Sequence, residues 1–416
     1  MKIAIIGAGI SGIAVAHRLH HRHDVTVFEA EGRAGGHANT VRVDTAYETH
    51  HIDTGFIVFN DRNYPNFQRL LADAGVASQA SNMSFSVADE RGDFEYNGAS
   101  PNGLFAKRAH LATPWFHRMV LDLARFNRAA RELLAGDDEG PSLGDWLERR
   151  RFSRPFVERL IVPQASAVWS ADPASMWSFP ARFMVEFFDH HGMLGFVNRP
   201  RWRTIRGGSH NYVQAVIEPW RERLRLGTPV RSVRRFDDRV EVHAAGELEP
   251  ERFDHLVLAT HSDQALELLG AEATDTERSL LSAIPYQRNQ AVLHTDSRLL
   301  PRRRRAWASW NYHLLAQPTG RVAVTYHLNR LQSLRATEEF CVTLNRTEAI
   351  DPEKIIRKID YSHPVYTTAG ISAQARHAEI DGRNRTSFCG AWWGSGFHED
   401  GAASGVRVAE RLEQAS

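Results

Sequence analysis

The residues with the clearest chemical pattern lie at the start of the chain. Gly7, Gly9 and Gly12 form a G-x-G-x-x-G pattern, and Glu29 follows 17 residues after the last of them. In such a pattern the first glycine permits a tight turn, the second lets backbone N–H groups approach a pyrophosphate, and the third lets a helix pack close to a strand. An acidic side chain at about this distance accepts hydrogen bonds from a ribose diol. The residues therefore predict a dinucleotide site.

The segments around these residues predict the elements that must position them. Residues 3–6 are typical of a short buried parallel strand, residues 11–22 of a helix, and residues 25–28 of a second strand that ends at Glu29. The start of the helix would offer unpaired N–H groups and a partial positive charge to the phosphates. A glycine-rich turn in an ordinary αβ unit is the alternative interpretation.

The segment after Glu29 decides which dinucleotide is expected. Arg33 is followed by the pair Gly35-Gly36 and then by His37. This arrangement resembles the flavin amine oxidase superfamily, which includes amine oxidases, protoporphyrinogen oxidase and the phytoene desaturases. The resemblance implies non-covalently bound FAD. The fork of donors on Arg33 suits a pyrophosphate, and the glycine pair lets the chain pass the flavin without a side-chain clash.

Further stretches are similar to motifs of the same superfamily. Residues 53–55 match a second glycine turn near the flavin, residues 226–233 the strand that meets the adenine, and residues 254–260 another strand that runs up to the cofactor. Residues 388–405 resemble the C-terminal flavin motif. The cofactor-binding residues predicted in this way are Gly7, Gly9, Gly12, Glu29, Arg33, Gly35, Gly36, His37, Asp53, Gly55, Val230, Thr260, Gly390, Glu399, Asp400, Gly401 and Ala402.

Four residues are candidate catalytic groups: His37, Trp392, Trp393 and His398. His37 follows the glycine pair, and His398 precedes two acids of the flavin motif. The two tryptophans stand where amine oxidases place an aromatic cage beside the flavin ring. For each of the four, a structural role in packing or tethering is the alternative. We expect Cys389 to be buried rather than to be a covalent flavin anchor.

The order of these segments predicts an α/β protein in which two domains are interleaved. One is an FAD-binding Rossmann domain with a parallel sheet and a βαβ start, and the other is an α+β substrate domain. We expect the FAD-binding domain at residues 1–80, 204–265 and 380–416, and the substrate domain at 81–203 and 266–379. Within the substrate domain, residues 100–200 predict helices. The later part predicts strands near 287–295, 306–314 and 321–327 and a helix near 351–359.

Composition excludes several classes of protein. Lys and Arg number 51 against 50 Asp and Glu, so the overall charge gives no indication of nucleic-acid binding. Two cysteines without clusters of spaced ligands argue against a disulfide framework and against a metal site. They fit a reducing compartment, so we expect a cytoplasmic protein. No uninterrupted apolar run approaches the ~18–20 residues of a membrane-spanning helix.

Two basic segments could place the protein peripherally on the inner face of the membrane. In residues 104–131, six Lys and Arg side chains interleave with Trp115, Phe116, Met119, Leu123 and Phe126. Such a basic amphipathic segment can lie on an anionic bilayer, or it can be a core-facing helix with a solvated basic face. Residues 302–305, four arginines, could join the same surface or form a solvated loop.

The expected reaction follows from a missing lysine and a narrower resemblance. Flavin amine oxidases usually carry a lysine, bonded through a water to flavin N5, on a strand that corresponds to residues 284–294, where this chain has none. Residues 294–312 and 388–401 resemble a bacterial group of FAD-dependent oxidoreductases found beside cyclopropane-fatty-acyl-phospholipid synthases. This implies an enzyme that removes hydride from a fatty-acyl substrate to flavin N5, forming a C=C bond, with such a synthase as functional partner. Double-bond isomerisation, amine oxidation and a non-catalytic FAD-bound role remain alternatives.

Overall fold

A computed structural model describes residues 1–136, 140–195 and 199–415 of the chain. Its strands, in chain order, are β1 Lys2–Ile6, β2 Asp24–Phe28, β3 Thr40–Asp44, β4 Thr49–Asp53, β5 Phe59–Asn60, β6 Ser78–Ala80, β7 Phe85–Asp89, β8 Glu95–Asn97, β9 Trp202–Ile205, β10 Leu224–Arg225, β11 Val230–Arg235, β12 Val240–Ala244, β13 Glu251–Phe253, β14 His255–Leu258, β15 Tyr286–His294, β16 Trp310–Leu314, β17 Val324–His327, β18 Cys341–Leu344, β19 Ile355–Pro364 and β20 Thr386–Phe388. Its α-helices are α1 Ile10–Leu19, α2 Pro65–Asp73, α3 Pro101–Leu104, α4 Pro114–Leu134, α5 Leu143–Arg149, α6 Arg154–Phe156, α7 Val162–Trp169, α8 Ala181–His190, α9 His210–Ile217, α10 Ser262–Leu269, α11 Asp275–Ser282, α12 Leu328–Leu331, α13 Thr368–Ala375 and α14 His398–Gln414.

The chain divides into two units by its internal contacts. The first unit comprises Met1–Gln79, Ile205–Pro285 and Thr368–Ser416, and the second comprises Ala80–Thr204 and Tyr286–Thr367. Residues 266–285 and 368–379, which the sequence assigns to the substrate domain, therefore lie in the first unit. One reason is a buried ion pair in which Arg235 of β11 holds Glu277 of α11 at 2.6 Å. These segments carry no cofactor motif, so no local pattern indicates the unit to which they belong.

The first unit is built on a five-stranded parallel sheet in the order β10-β2-β1-β14-β20. The central strand β1 pairs in parallel with β2 on one side and β14 on the other, and its Ile3 and Ile5 are fully buried. Because the strands are parallel, their carboxyl ends meet at one edge of the sheet. That edge continues into Gly7 after β1, Glu29 after β2, and Thr260 after β14. The predicted α/β class and parallel sheet are confirmed.

Helices α1 and α14 of this unit pack closely against each other because the residues between them are small. A Cβ atom added to Gly405 would lie 2.4 Å from the backbone oxygen of Ser11 and 3.0 Å from Cβ of Ala14. A Cβ atom on Gly401 would lie 2.6 Å from Cγ2 of Ile10. Since Ile10 begins α1 and Gly401 lies in the first turn of α14, the positive ends of both helices lie side by side.

The second unit contains a seven-stranded sheet in the order β19-β15-β18-β17-β16-β7-β8. Strands β16 and β7 are parallel, and the other pairs are antiparallel. The predicted helix near 351–359 is wrong: after a short 3-10 turn at Pro352–Lys354 the chain forms β19. There Ile359 pairs with Ala291 of β15, and pairing along the strand outweighs the helical pattern of the isolated segment.

The strand predicted near 306–314 begins only at Trp310, because Arg304–Ala306 forms a 3-10 turn. The helices predicted for residues 100–200 are present as α3 to α8. None of the helices in the described ranges has both the length and the apolar character needed to cross a membrane.

Candidate cofactor and active site

The glycine pattern at the end of β1 is required by close packing. Gly7 has φ +104°, and a Cβ atom there would lie 2.7 Å from the carbonyl oxygen of Ala259, beyond the end of β14. A Cβ atom on Gly12 would lie 2.0 Å from the carbonyl oxygen of Gly7. These two glycines therefore hold α1 against the sheet, which places the start of the helix at the carboxyl edge.

Gly9 differs from its two partners, because it faces open space. A Cβ atom added to Gly9 would meet no atom of the protein within 4 Å. The backbone of Gly9 is contacted by Gly36 (φ +54°), since a Cβ atom added to Gly36 would lie 3.3 Å from the Gly9 Cα. No side chain caps α1, and its first turn contains no acidic residue. An uncapped helix start beside a glycine that faces open space fits the pyrophosphate of a dinucleotide.

Glu29 is held in place by backbone N–H groups at the same edge. Its Oε2 accepts a hydrogen bond from Ala8 N at 2.8 Å, and its Oε1 accepts one from Glu31 N at 2.9 Å. A carboxylate has about four lone-pair sites, so both oxygens retain capacity for ribose hydroxyl groups. Close by, Gly35 (φ +112°) donates to the carbonyl of Ala8 at 2.8 Å. Arg33 is half-exposed and lies 2.9 Å from Glu31.

Asp53 lies in the interior rather than at an open surface. Its Oδ1 accepts hydrogen bonds from Thr40 Oγ1 at 2.5 Å and from both N and Oγ of Ser209 at 2.8 Å. Burial raises the pKa of Asp53 to about 6, although these hydrogen bonds oppose the increase. The arrangement favours a structural role, in which Asp53 joins the end of β4 to the turn before α9. Two further predicted cofactor residues, Gly55 and Val230, are half-buried.

The two acids at the start of α14 bind backbone N–H groups of the protein. Glu399 accepts hydrogen bonds from the N–H groups of Asn66 and Phe67, both at 3.0 Å, and from the Asn66 amide at 2.7 Å. Asp400 accepts from Phe397 N at 2.8 Å, and burial raises its pKa to about 6. Glu399 therefore caps α2 and Asp400 caps α14. These contacts favour helix capping over the direct cofactor contact expected from the sequence.

The tryptophan pair is buried, and its two members have different environments. The indole N–H of Trp392 donates to the carbonyl of Thr260 at 3.0 Å, which joins the loop after β20 to the loop after β14. The ring centroids of Trp392 and Trp393 lie 4.2 Å apart at 35°, and Trp393 meets the His377 ring edge-on at 4.5 Å. The Trp392 ring leaves no room for a side chain at Gly390, because a Cβ atom there would lie 2.1 Å from Nε1 of Trp392.

The two candidate catalytic histidines, His398 and His37, differ in burial. His398 is buried, stacks on Phe56 with ring centroids 3.7 Å apart, and lies 2.6 Å from the Tyr212 hydroxyl. Burial lowers the pKa of His398 to about 3, so the ring is neutral at neutral pH. His37 is half-buried, and its ring centroid lies 6.2 Å from that of His261. Of the two, His37 is better placed to exchange a proton.

Gln374 is a residue of this region that the sequence did not single out. Its Nε2 donates to the carbonyl oxygens of Trp392 at 2.6 Å and of Gly394 at 2.7 Å, so it fixes the loop between β20 and α14. No local motif marks it, and the sequence places its segment in the substrate domain. Ala402 and Cys389, both expected here, are buried. Burial raises the pKa of the Cys389 thiol, as suits a packing role.

Comparison with known proteins identifies the family. Residues 10–340 match the family of flavin containing amine oxidoreductases. The chain belongs to this family. Its members are flavin-dependent oxidoreductases, and FAD is the cofactor of this chain. The open space before Gly9, the uncapped start of α1 and the carboxylate of Glu29 fit that cofactor.

Sequence matches to curated relatives cover only parts of the chain. Protoporphyrinogen oxidase 2 of Arabidopsis thaliana is 27% identical over 195 residues, which cover 44% of this chain and 36% of the relative. A 4,4'-diapophytoene desaturase of Staphylococcus aureus is 47% identical over 45 residues, covering 11% of this chain and 9% of the relative. The chain thus matches about a third of the length of the first relative and about a tenth of the length of the second.

Solved structures of the same fold cover nearly the whole chain. Cyclohexylamine oxidase from Brevibacterium oxydans is 16% identical, with a TM-score of 0.69 over 99% of both chains. A fatty acid isomerase from P. acnes that produces CLA is 17% identical, with a TM-score of 0.69 over 99% of this chain and 98% of that one. At these identities the likeness shows the fold alone.

Proposed function

We propose that this flavin containing oxidoreductase removes hydride from a fatty-acyl or similar lipid substrate and leaves a C=C bond. Gly7, Gly9, Glu29 and Gly36, at the carboxyl edge of the parallel sheet, would hold FAD. Bound FAD would supply the hydride acceptor. A bacterial group found beside cyclopropane-fatty-acyl-phospholipid synthases has similar segments, so such a synthase is the proposed functional partner.

The observation that carries the proposal is the absence of an amine side chain from β15. The chain has four lysines, and none lies on this strand. The strand's buried amide, Asn289, has its Nδ2 within hydrogen-bond distance of the Ser170 carbonyl at 3.0 Å and of His363 Nδ1 at 2.9 Å. A neutral amide bonded in this way does not replace the lysine of amine oxidases. The sequence match to a 4,4'-diapophytoene desaturase supports a hydrocarbon substrate.

Desaturation removes two hydrogens from neighbouring carbons, one as hydride and one as a proton. The proposed proton acceptor is His37, which is half-buried directly after Gly36. His398 is a poorer candidate, because its ring is enclosed by Phe56 and bonded to Tyr212.

Anaerobic reduction of the flavin tests the proposal. We expect a fatty-acyl phospholipid extract to bleach the flavin and to give a product about two mass units lighter, because hydride transfer to the flavin and loss of a proton remove two hydrogens. Monoamines and polyamines serve as control compounds and should leave the flavin oxidised. Turnover of any amine at an ordinary enzyme rate, ~1–10³ s⁻¹, would contradict the proposal.

Double-bond isomerisation is a second candidate, supported by the likeness to the fatty acid isomerase. It predicts a product of unchanged mass and no net bleaching of the flavin. A non-catalytic role predicts that neither acyl lipids nor amines are altered, although FAD stays bound.

A further inference from the structure

The surface formed by residues 111–128 combines apolar and basic side chains, and at its end Arg128 pairs with the exposed carboxylate of Glu132. We call this surface the α4 face. Leu111 and Leu121 are 55% and 63% exposed, which is unusual for large apolar residues of this chain. The single acid of the segment, Asp122, is fully buried. The exposed residues of the face are Leu111, Ala112, Pro114, His117, Arg118, Leu121, Ala124, Arg125 and Arg128.

The exposed residues of the α4 face differ from the apolar residues that gave the amphipathic pattern in the sequence. Phe116, Met119 and Phe126 from that pattern are almost completely buried, so they form the interior of the second unit. They account for the core-facing side of α4. They leave Leu111, Leu121 and the arginines of the opposite side unexplained.

Asp122 holds two arginines of the face in position. Its Oδ1 lies 2.5 Å from Arg125 Nη1 and 3.3 Å from Arg118 Nε. Burial opposes ionisation of Asp122, but hydrogen bonds from Ser153 and Arg125 and the charge of Arg118 hold its pKa below the usual value. Two cations are therefore fixed at the surface before any partner arrives, which lowers the entropy lost on binding. One turn further, the side chain of Arg128 is 86% exposed and lies 3.4 Å from the carboxylate of Glu132.

We propose that the α4 face docks on an anionic lipid bilayer. A helix with leucines and arginines on its outer side lies in the plane of the interface, with its apolar residues among the lipid chains and its cations at the headgroups. The exposed leucines distinguish a bilayer from an acidic protein surface, for which the arginines alone would suffice. This inference goes beyond the proposed reaction and does not rest on it.

The arginines at 302–305 do not enter the argument. Arg303 lies 2.5 Å from the buried carboxylate of Glu95, and Arg302 donates to the backbone oxygen of Glu90. Charge reversal of Arg118, Arg125 or Arg303 would place a new carboxylate beside a buried one. A variant of these residues would therefore test folding rather than docking.

The double variant Leu121→Gln/Arg128→Glu tests the proposal on exposed positions only. The matched control is Leu248→Gln/Arg221→Glu in the first unit, where Leu248 is 97% exposed and Arg221 pairs with Glu218 as Arg128 pairs with Glu132. Each holoprotein is sedimented with phosphatidylglycerol vesicles or with phosphatidylcholine vesicles, at low and high salt. Melting temperature and flavin spectrum confirm that the variants are folded.

We expect the wild type and the control to bind phosphatidylglycerol vesicles at low salt and to be released at high salt, because the interaction is screened. The α4 variant should bind at least about fivefold more weakly, the factor that one basic residue near an anionic surface is worth. The proposal is overturned if the α4 variant and the control bind equally, or if the wild type ignores both kinds of vesicle. Binding to polyglutamate beads without binding to vesicles would assign the face to an acidic protein instead.

Discussion

The hydroxyl of Tyr212 lies 2.6 Å from the Nε2 atom of His398, and both residues are buried in the first unit. His398 is the first residue of α14, so the contact fixes the start of this helix against α9. Since burial lowers the pKa of His398 to about 3, the pair is neutral under ordinary conditions. The geometry makes His398 a positioning residue for the start of α14 rather than a proton carrier.

Replacing Tyr212 by Phe should lower the free energy of unfolding by ~0.5–1.5 kcal/mol, because one buried hydrogen bond is lost. Urea denaturation measures this change. We expect the flavin spectrum, and the pH profile of flavin reduction by an acyl substrate, to remain as in the wild type. A shifted pH profile with unchanged stability would instead show that His398 exchanges protons during the reaction.

Acid should destabilise the protein below about pH 6.5, the ordinary pKa of a histidine in an unfolded chain. Burial lowers the pKa of His255 and His398 to about 3 and that of His294 to about 4. Their folded-state pKa values are below the unfolded one, so between these values the unfolded chain binds protons that the folded chain does not. At pH 5 each of the three histidines costs about 2 kcal/mol of unfolding free energy.

Two buried carboxyl groups act in the opposite direction. The pKa values of Asp53 and Asp400 are raised to about 6, so the folded state binds protons more readily and each recovers roughly 1 kcal/mol at pH 5. The pKa values of His20, His110, His191 and His313 are lowered as well, so these residues add to the loss. We therefore expect the free energy of unfolding to fall by several kcal/mol between pH 7 and pH 5, measured by urea denaturation at each pH. His255→Gln is the control, because it can retain a hydrogen bond to Ser387 but does not titrate. The free energy of unfolding of this variant should depend less steeply on pH than that of the wild type. An equal dependence would contradict the lowered pKa of His255.

Glu399 and the start of α2 give a third prediction. Pro65 and Asn66 begin this helix, its own N-cap residue Tyr64 makes no side-chain hydrogen bond to it, and Glu399 supplies the missing acceptor. Glu399→Ala should therefore cost ~0.5–2 kcal/mol of stability, as the loss of an N-cap does. The dissociation constant of FAD, measured by flavin fluorescence, should change little. A large loss of FAD affinity at unchanged stability would show that Glu399 binds the cofactor directly.

The spacing of residues indicates local geometry only where the parts of the site are neighbours in the chain. The glycines, β1, α1, β2 and Glu29 are all within the first 30 residues, so their spacing alone determines their geometry. Glu399 and Asn66 are 333 residues apart, and their hydrogen bond depends on how α14 packs against the rest of the unit. Gln374 likewise contacts Trp392 through folding of a segment that carries no motif.

One error and one open alternative have the same physical origin. The sequence predicts a helix near 351–359, but pairing with β15 makes residues 355–364 a strand. For residues 104–131 the sequence leaves open a bilayer-facing or a core-facing segment, and it could not show that Phe116 and Met119 fill the interior while Leu121 is exposed. Both outcomes depend on partners that lie far away in the sequence.

Gly9 and Gly12 separate the cofactor site from the packing that supports it. A Cβ atom on Gly12 would lie 2.0 Å from the Gly7 carbonyl oxygen, whereas one on Gly9 would meet nothing within 4 Å. Gly12→Ala should therefore destabilise the apoprotein by ~1–3 kcal/mol through overpacking, measured by urea denaturation. Gly9→Ala should leave the apoprotein within about 0.5 kcal/mol of the wild type, but its methyl group would occupy space that the pyrophosphate needs. We expect FAD titration to show at least about tenfold weaker binding, or ~1.4 kcal/mol.

Gly98→Ala is the control for this prediction. A Cβ atom on Gly98 also meets nothing within 4 Å, but this residue lies in the second unit, so the substitution should alter neither the stability of the apoprotein nor its affinity for FAD. If Gly9→Ala binds FAD as tightly as this control, the open space before Gly9 is not where the dinucleotide lies.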